Sequence, residues 1–211
     1  MINRRIWNAA AASVLALGAW GFMPAHAADE SPDGLIKRVS SDVLETIKKD
    51  PQLRGGDPSR VNALVNEKVM PYVNFRRMTS AAVGPSWRKA TPEQQQRLQE
   101  EFKALLVRTY SGALHEVTDQ TINLKPLRAA PGDTDVLVRS EILGRGDPVQ
   151  LDYRLEKTAD GWRIYNLNVL GVWLVDTYRS QFAQEINARG IDGLIESLAS
   201  RSKMPATGGK S

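Results

Sequence analysis

Apolar residues recur at helical spacing through the first half of the chain, alternate with polar ones from about residue 120, and return to helical spacing from about residue 172. Ser31-Pro32 offers an N-cap followed by proline, and Ile36, Val39, Val43 and Ile47 form a stripe that Asp50-Pro51 stops. A second helix is predicted from Asp57-Pro58 through Val61, Leu64, Val65 and Val69 to Pro71, and a short third from Asn74 through Phe75, Met78 and Ala82 to Gly84-Pro85. Thr91-Pro92-Glu93-Gln94 is a capping box with proline at the first helical position. It opens a long helix to about Leu114, with Leu98, Phe102, Leu105, Leu106, Thr109 and Ala113 on one face.

The alternating region predicts four strands around Ile122 and Leu124, Val136 to Ile142, Val149 to Leu155, and Trp162 with Ile164. Gly144 to Pro148 and Ala159-Asp160-Gly161 are the turns, so the strands form an antiparallel meander. Val175, Tyr178, Phe182 and Ile186 then mark a helix from near Val172 to Gly190, and Ile191, Leu194, Ile195 and Leu198 mark another. With no repeat and no internal linker, residues 28–202 read as a single α+β domain followed by a disordered tail, residues 203–211.

The chain's first residues change the picture of where it works. Arg4 and Arg5 precede a charge-free apolar run from Ile6 to Met23, and Ala25-His26-Ala27 supplies the small-x-small pattern of a signal-peptidase site. Residues 1–27 therefore read as a signal peptide, with the exported chain beginning at Ala28. The formal net charge of +4 then loses Arg4 and Arg5, leaving +2, so the high isoelectric point does not argue for nucleic acid. The chain has no cysteine, which avoids mispaired disulfides after export and leaves the fold to its apolar core. A domain of this length buries roughly 70% of the surface its unfolded chain exposes, which suffices.

Catalytic chemistry finds little to use. Beyond the signal segment the single histidine is His115, just past the long helix, where a cation suits the helix C-terminus. Metal sites of His and Cys, cysteine nucleophiles, the nucleophile elbow, phosphate-binding Gly-rich loops and the dinucleotide fingerprint are all missing. Asp152 and Glu156 alternate with Leu151, Tyr153 and Leu155, which predicts a solvated strand face, and Lys48-Lys49 and Arg76-Arg77 read as solvated helix surfaces. What the chain holds in quantity is large apolar side chains near the helix and strand junctions. These are Met70, Tyr72, Val73, Phe75, Met78, Phe102, Leu106, Tyr110, Tyr153, Trp162, Val172, Leu174, Tyr178 and Phe182. Composition alone serves equally for a packed core and for a ligand pocket.

Two stretches break that tie by resemblance. Pro71-Tyr72-Val73-Asn74-Phe75 leads to Gly84-Pro85-Ser86-Trp87-Arg88-Lys89-Ala90-Thr91-Pro92-Glu93-Gln94 and then to Phe102, Leu105-Leu106, Tyr110 and Leu114. Gly161-Trp162-Arg163-Ile164-Tyr165-Asn166 leads to Gly171-Val172-Trp173-Leu174, Tyr178-Arg179-Ser180-Gln181-Phe182 and Gly190-Ile191-Asp192-Gly193-Leu194-Ile195. In order and spacing, over about residues 33 to 202, the chain resembles the MlaC (toluene-tolerance) family of periplasmic phospholipid-binding proteins. It departs where that family usually has an acid (Asn166) and a serine (Trp173).

The resemblance implies a twisted four-stranded antiparallel sheet wrapped by six or seven helices, a cone like that of nuclear transport factor, enclosing an apolar pocket for a diacyl phospholipid. It implies a carrier without catalysis, metal or cofactor, exchanging lipid between an outer-membrane MlaA-type lipoprotein with its porin and an inner-membrane ABC transporter bearing an MCE-domain subunit. Outer-membrane lipid asymmetry is the purpose it implies. The pocket lining it points to is Met70, Val73, Phe75, Met78, Phe102, Leu106, Tyr110, Val138, Leu151, Tyr153, Leu155, Ile164, Val172, Leu174, Tyr178 and Phe182.

Overall fold

The computed structural model describes residues 30–203. The predicted signal segment and all but the first residue of the predicted tail lie outside the described residues. Capping side chains start the helices where the sequence places them. The Ser31 hydroxyl accepts from the Gly34 N–H at the head of α1 (Pro32–Lys49), which buries Leu35, Ile36, Val39, Leu44 and Ile47. The chain does not simply stop at Asp50-Pro51. The Asp50 carboxylate accepts from the N–H groups of Gln52 and Leu53 and caps one further turn, α2 (Pro51–Arg54).

The predicted second helix divides. α3 (Pro58–Leu64), capped by Asp57, widens into a π turn over Val65–Val69 and tightens into a 3₁₀ turn over Met70–Tyr72. Pro71 has no N–H to return to Glu67, so the α ladder cannot run through it. α4 (Phe75–Val83) starts at Asn74, whose side chain accepts from the Arg77 N–H, and α5 (Pro92–Ser111) opens with both hydrogen bonds of its capping box in place. A 3₁₀ turn over Gly112–Glu116 carries the chain on from α5. α6 (Leu174–Lys203) breaks where expected, at Gly190, whose φ of 72° is open to glycine at little cost.

Among the described residues the sheet has five strands rather than four, all antiparallel and in sequence order: β1 (Thr121–Leu124), β2 (Asp135–Leu143), β3 (Val149–Thr158), β4 (Gly161–Val169) and β5 (Val172–Trp173). Two residues suffice for β5 because Leu170 and Gly171, with φ of 51° and 86°, form a primed turn matched to the strands' twist. The register sets Val138 beside Tyr153, Tyr153 beside Leu167 and Leu151 beside Val169, so the inner face is apolar. A bulge puts Tyr165 between the pairs Arg154 with Asn166 and Leu155 with Ile164.

Helices cover that inner face through three apolar clusters. α1 lays Leu35, Ile36 and Val39 on Val138, Tyr153, Leu155 and Ile164. α4, α5 and α6 meet in a second cluster around Phe75, Phe102, Tyr178 and Phe182, and Leu53, Val61, Leu64 and Val117 centre a third.

Candidate functional site

Between these clusters the packing is incomplete. A cavity of about 260 Å³ opens there, with walls drawn from four parts of the chain. Val65, Val69, Met70 and Val73 come from the π and 3₁₀ turns, and Phe75 and Met78 from α4. Lys103, Leu106, Val107 and Tyr110 lie three and four residues apart on one face of α5. Tyr153, Ile164, Leu167 and Leu174 complete it from the sheet and the head of α6.

The segment between Leu64 and Asn74 becomes a wall because both its ends are fixed. Leu64 is buried among α1, α2 and α3, while the Asn74 N–H donates to the Ile164 carbonyl at 2.8 Å and Val73 forms a parallel bridge to Ile164. Burial pushes the pKa of the Tyr110 hydroxyl up, and that of Tyr153 too, although the hydroxyls of Ser40 and Ser140 pull the latter partway back. Phenols held neutral beside valine, leucine and methionine leave a wall that favours hydrocarbon.

Of the pocket residues that resemblance suggests, Met70, Val73, Phe75, Met78, Leu106, Tyr110, Tyr153, Ile164 and Leu174 line this cavity. Phe102, Tyr178 and Phe182 form the aromatic backing behind it, with Phe102 centred 5.0 Å from Tyr178 and 5.2 Å from Phe182. Val138 and Leu155 are sealed under α1, and Leu151 packs half-buried at the edge of the same cluster. Val172 does not line this cavity. On β5 it pairs with Val169 and is 48% exposed.

The wall residues that sequence reasoning misses are Val65, Val69, Lys103, Val107 and Leu167. Lys103, Leu106, Val107 and Tyr110 share one face of α5 at spacings of three and four, and the lysine at the head of that stripe breaks its apolar signal.

The outer face of the sheet also corrects two expectations. Asp152 is only 5% exposed: its Oδ2 accepts from the Gln150 side chain, and its Oδ1 has no hydrogen-bond partner. Glu156 accepts from Asn74 at 2.7 Å and pairs with Arg77, which also reaches Asp135 at 3.5 Å and stacks over the Tyr165 ring at 3.5 Å. Arg77 and Glu156 therefore fasten α4 to the sheet, whereas Arg76 stays exposed and Lys48 and Lys49 pair with Glu45 on the surface of α1.

The two departures from the family pattern have clear environments. Asn166 is buried, and its Oδ1 accepts from the N–H groups of Leu167 and Val175, an acceptor role that a carboxylate also fills. Trp173 is half-buried with its ring 4.3 Å from the Arg154 guanidinium, on the sheet face away from the cavity. His115 is exposed on the turn after α5, close to Gly56. Among the described residues no cluster of three or more His, Cys, Asp or Glu is placed to hold a metal, and no helix is long and apolar enough to cross a membrane.

Known proteins resemble this chain in sequence and fold. The model of the MlaC protein family matches residues 37–200. Toluene tolerance protein ttg2D of Pseudomonas putida is 27% identical over 166 residues, 78% of this chain and 77% of that one. The intermembrane phospholipid transport system binding protein MlaC of Haemophilus influenzae is 21% identical over 182 residues, 84% and 85% of the two chains. A solved structure of the phospholipid-binding protein from Ralstonia solanacearum, in complex with a phospholipid, superposes with a TM-score of 0.79 at 49% identity, covering 83% of this chain and 97% of that one.

Proposed function

This chain belongs to the MlaC protein family, and we propose that it is a periplasmic carrier that lifts phospholipids out of a membrane by their acyl chains and delivers them to another. The observation that carries the reading is the cavity itself, walled almost wholly by apolar side chains and open at one side. The names of its relatives, a phospholipid-binding protein seen with its lipid and a phospholipid transport binding protein, point the same way. Its exchange partners on this reading are an MlaA-type lipoprotein with porin at the outer membrane and an MCE-bearing ABC transporter at the inner one.

The energetics call for such a protein. Two acyl chains carry about 30 methylenes, and at ~0.8 kcal/mol each their exposure to water costs on the order of 24 kcal/mol. Unaided escape from a bilayer is correspondingly slow. A hydrocarbon-lined cavity on a water-borne protein removes most of that barrier, and it needs no covalent step.

An enzymatic reading would use Tyr110 or Tyr153, the protic groups on the wall besides Lys103. Desolvation raises both phenols above the ordinary tyrosine value, Tyr153 as a buried residue and Tyr110 as a partly exposed one, which suits packing better than proton abstraction. The deciding experiment mixes delipidated protein with donor vesicles holding a fluorescent phospholipid and with unlabelled acceptors. Saturable acceleration of transfer, with intact lipid recovered, is expected. No acceleration would reject the carrier. Release of lysophospholipid or fatty acid, abolished by Tyr153→Phe or Tyr110→Phe, would make it an enzyme.

A further inference from the structure

Among the described residues, only one side chain on the cavity wall carries a charge, that of Lys103. Its Nζ donates to the Asn66 side-chain oxygen at 2.9 Å, a neutral partner. Lys48, Lys68 and Lys125, which do not line the cavity, are held differently: each pairs with a carboxylate. Lys103 is half-buried while Asn66 is exposed, so the lysine stem follows the apolar wall and its ammonium comes out at the solvent side. A cation at the edge of a hydrocarbon cavity, oriented by an amide and not neutralised by an acid, is built for an anion whose remainder is apolar.

We infer that Lys103, held in place by Asn66, is the counter-ion for the phosphodiester of the lipid whose tails fill the cavity. The inference rests on the carrier reading and adds to it a basis for selection: phospholipids over uncharged lipids with the same tails. With the Asn66 oxygen engaged, its amide N–H groups remain as donors for a second phosphate oxygen. A lysine suits a carrier of mixed headgroups because the ammonium is a mobile point charge, able to follow the phosphate without demanding the fork geometry of arginine.

The test measures equilibrium binding of dioleoylphosphatidylglycerol, dioleoylglycerol and oleate to the delipidated wild type, Lys103→Gln and Lys103→Arg. Thermal melts establish that each variant is folded. Lys103→Gln is expected to weaken phosphatidylglycerol binding about tenfold, as loss of one partly exposed charge-assisted hydrogen bond should. Dioleoylglycerol binding should stay within twofold, Lys103→Arg should retain most phospholipid affinity, and added salt should narrow the gap between wild type and Lys103→Gln.

Equal weakening of phospholipid and diacylglycerol would mean that the lysine acts through its stem, and no weakening of either would remove it from the site; both overturn the inference. Loss of oleate binding alone would reassign Lys103 to a fatty carboxylate and likewise overturn it. A wild type that binds neither two-tailed lipid would sink the carrier reading itself, an outcome distinct from all of these.

Discussion

Leu106 projects from α5 into the cavity, so its volume limits how much hydrocarbon the cavity admits. Leu106→Trp should leave a folded protein that no longer takes up phospholipid, whereas Val172→Trp, on the exposed end of β5, should bind normally. Lipid extraction from vesicles by both variants checks this pair; uptake by the tryptophan at 106 would contradict the assignment. Tyr153 makes a second, pH-dependent prediction. Burial raises its pKa above the ~10 of an unfolded tyrosine, so the unfolded chain loses its proton first and stability falls as the pH passes about 10. Tyr153→Phe removes that contribution and should move alkaline unfolding to higher pH, although Tyr110 and Tyr165, also raised, leave part of it. An unchanged alkaline limb would show that the hydroxyl is not desolvated. At this scale the large apolar side chains are legible in sequence, but their division into wall and backing is not. Leu106 and Phe102 sit on the same helix with the same period, and only the third dimension separates the one facing space from the one packed between Phe75 and Phe182.

Helix starts are the most legible elements because their caps are local chemistry: Ser31, Asp57, Asn74 and Thr91 each cap the helix that the pattern predicts. The head of α6 depends instead on a distant residue. Asn166, on β4, accepts from the Val175 N–H at 3.2 Å across a buried junction, which no local pattern reveals. Asn166→Ala leaves two N–H groups short of a partner and should cost about 2 kcal/mol, while Asn166→Asp keeps the acceptor and should cost less. Denaturant titrations with an unchanged m-value read this directly; an alanine variant as stable as wild type would refute the capping role. The π and 3₁₀ turns between α3 and α4 were not legible either. An apolar helical period runs to Pro71, and the break arises because that proline withholds one N–H just where the chain must reach the sheet at Val73. The same irregularity supplies Val65, Val69 and Met70 to the cavity wall.

Across the whole molecule, an α+β meander wrapped by helices follows from the switch in hydrophobic period, and the fifth strand is a two-residue addition to it. The cavity, at about 260 Å³, falls below the ~300 to 1,000 Å³ usual for ligand pockets and below what two acyl chains suggest. Met70 and Met78 occupy its wall, and thioether side chains are flexible enough to move aside for a guest. A rigid, fully packed domain of the same shape would serve only as a bridge between envelope proteins and would carry nothing. Native mass spectrometry of the protein purified from a Gram-negative periplasm separates these accounts in one spectrum. The carrier account predicts the chain plus the mass of an intact diacyl phospholipid, released unchanged on activation. The bare chain alone, or the chain with lysophospholipid, would contradict it.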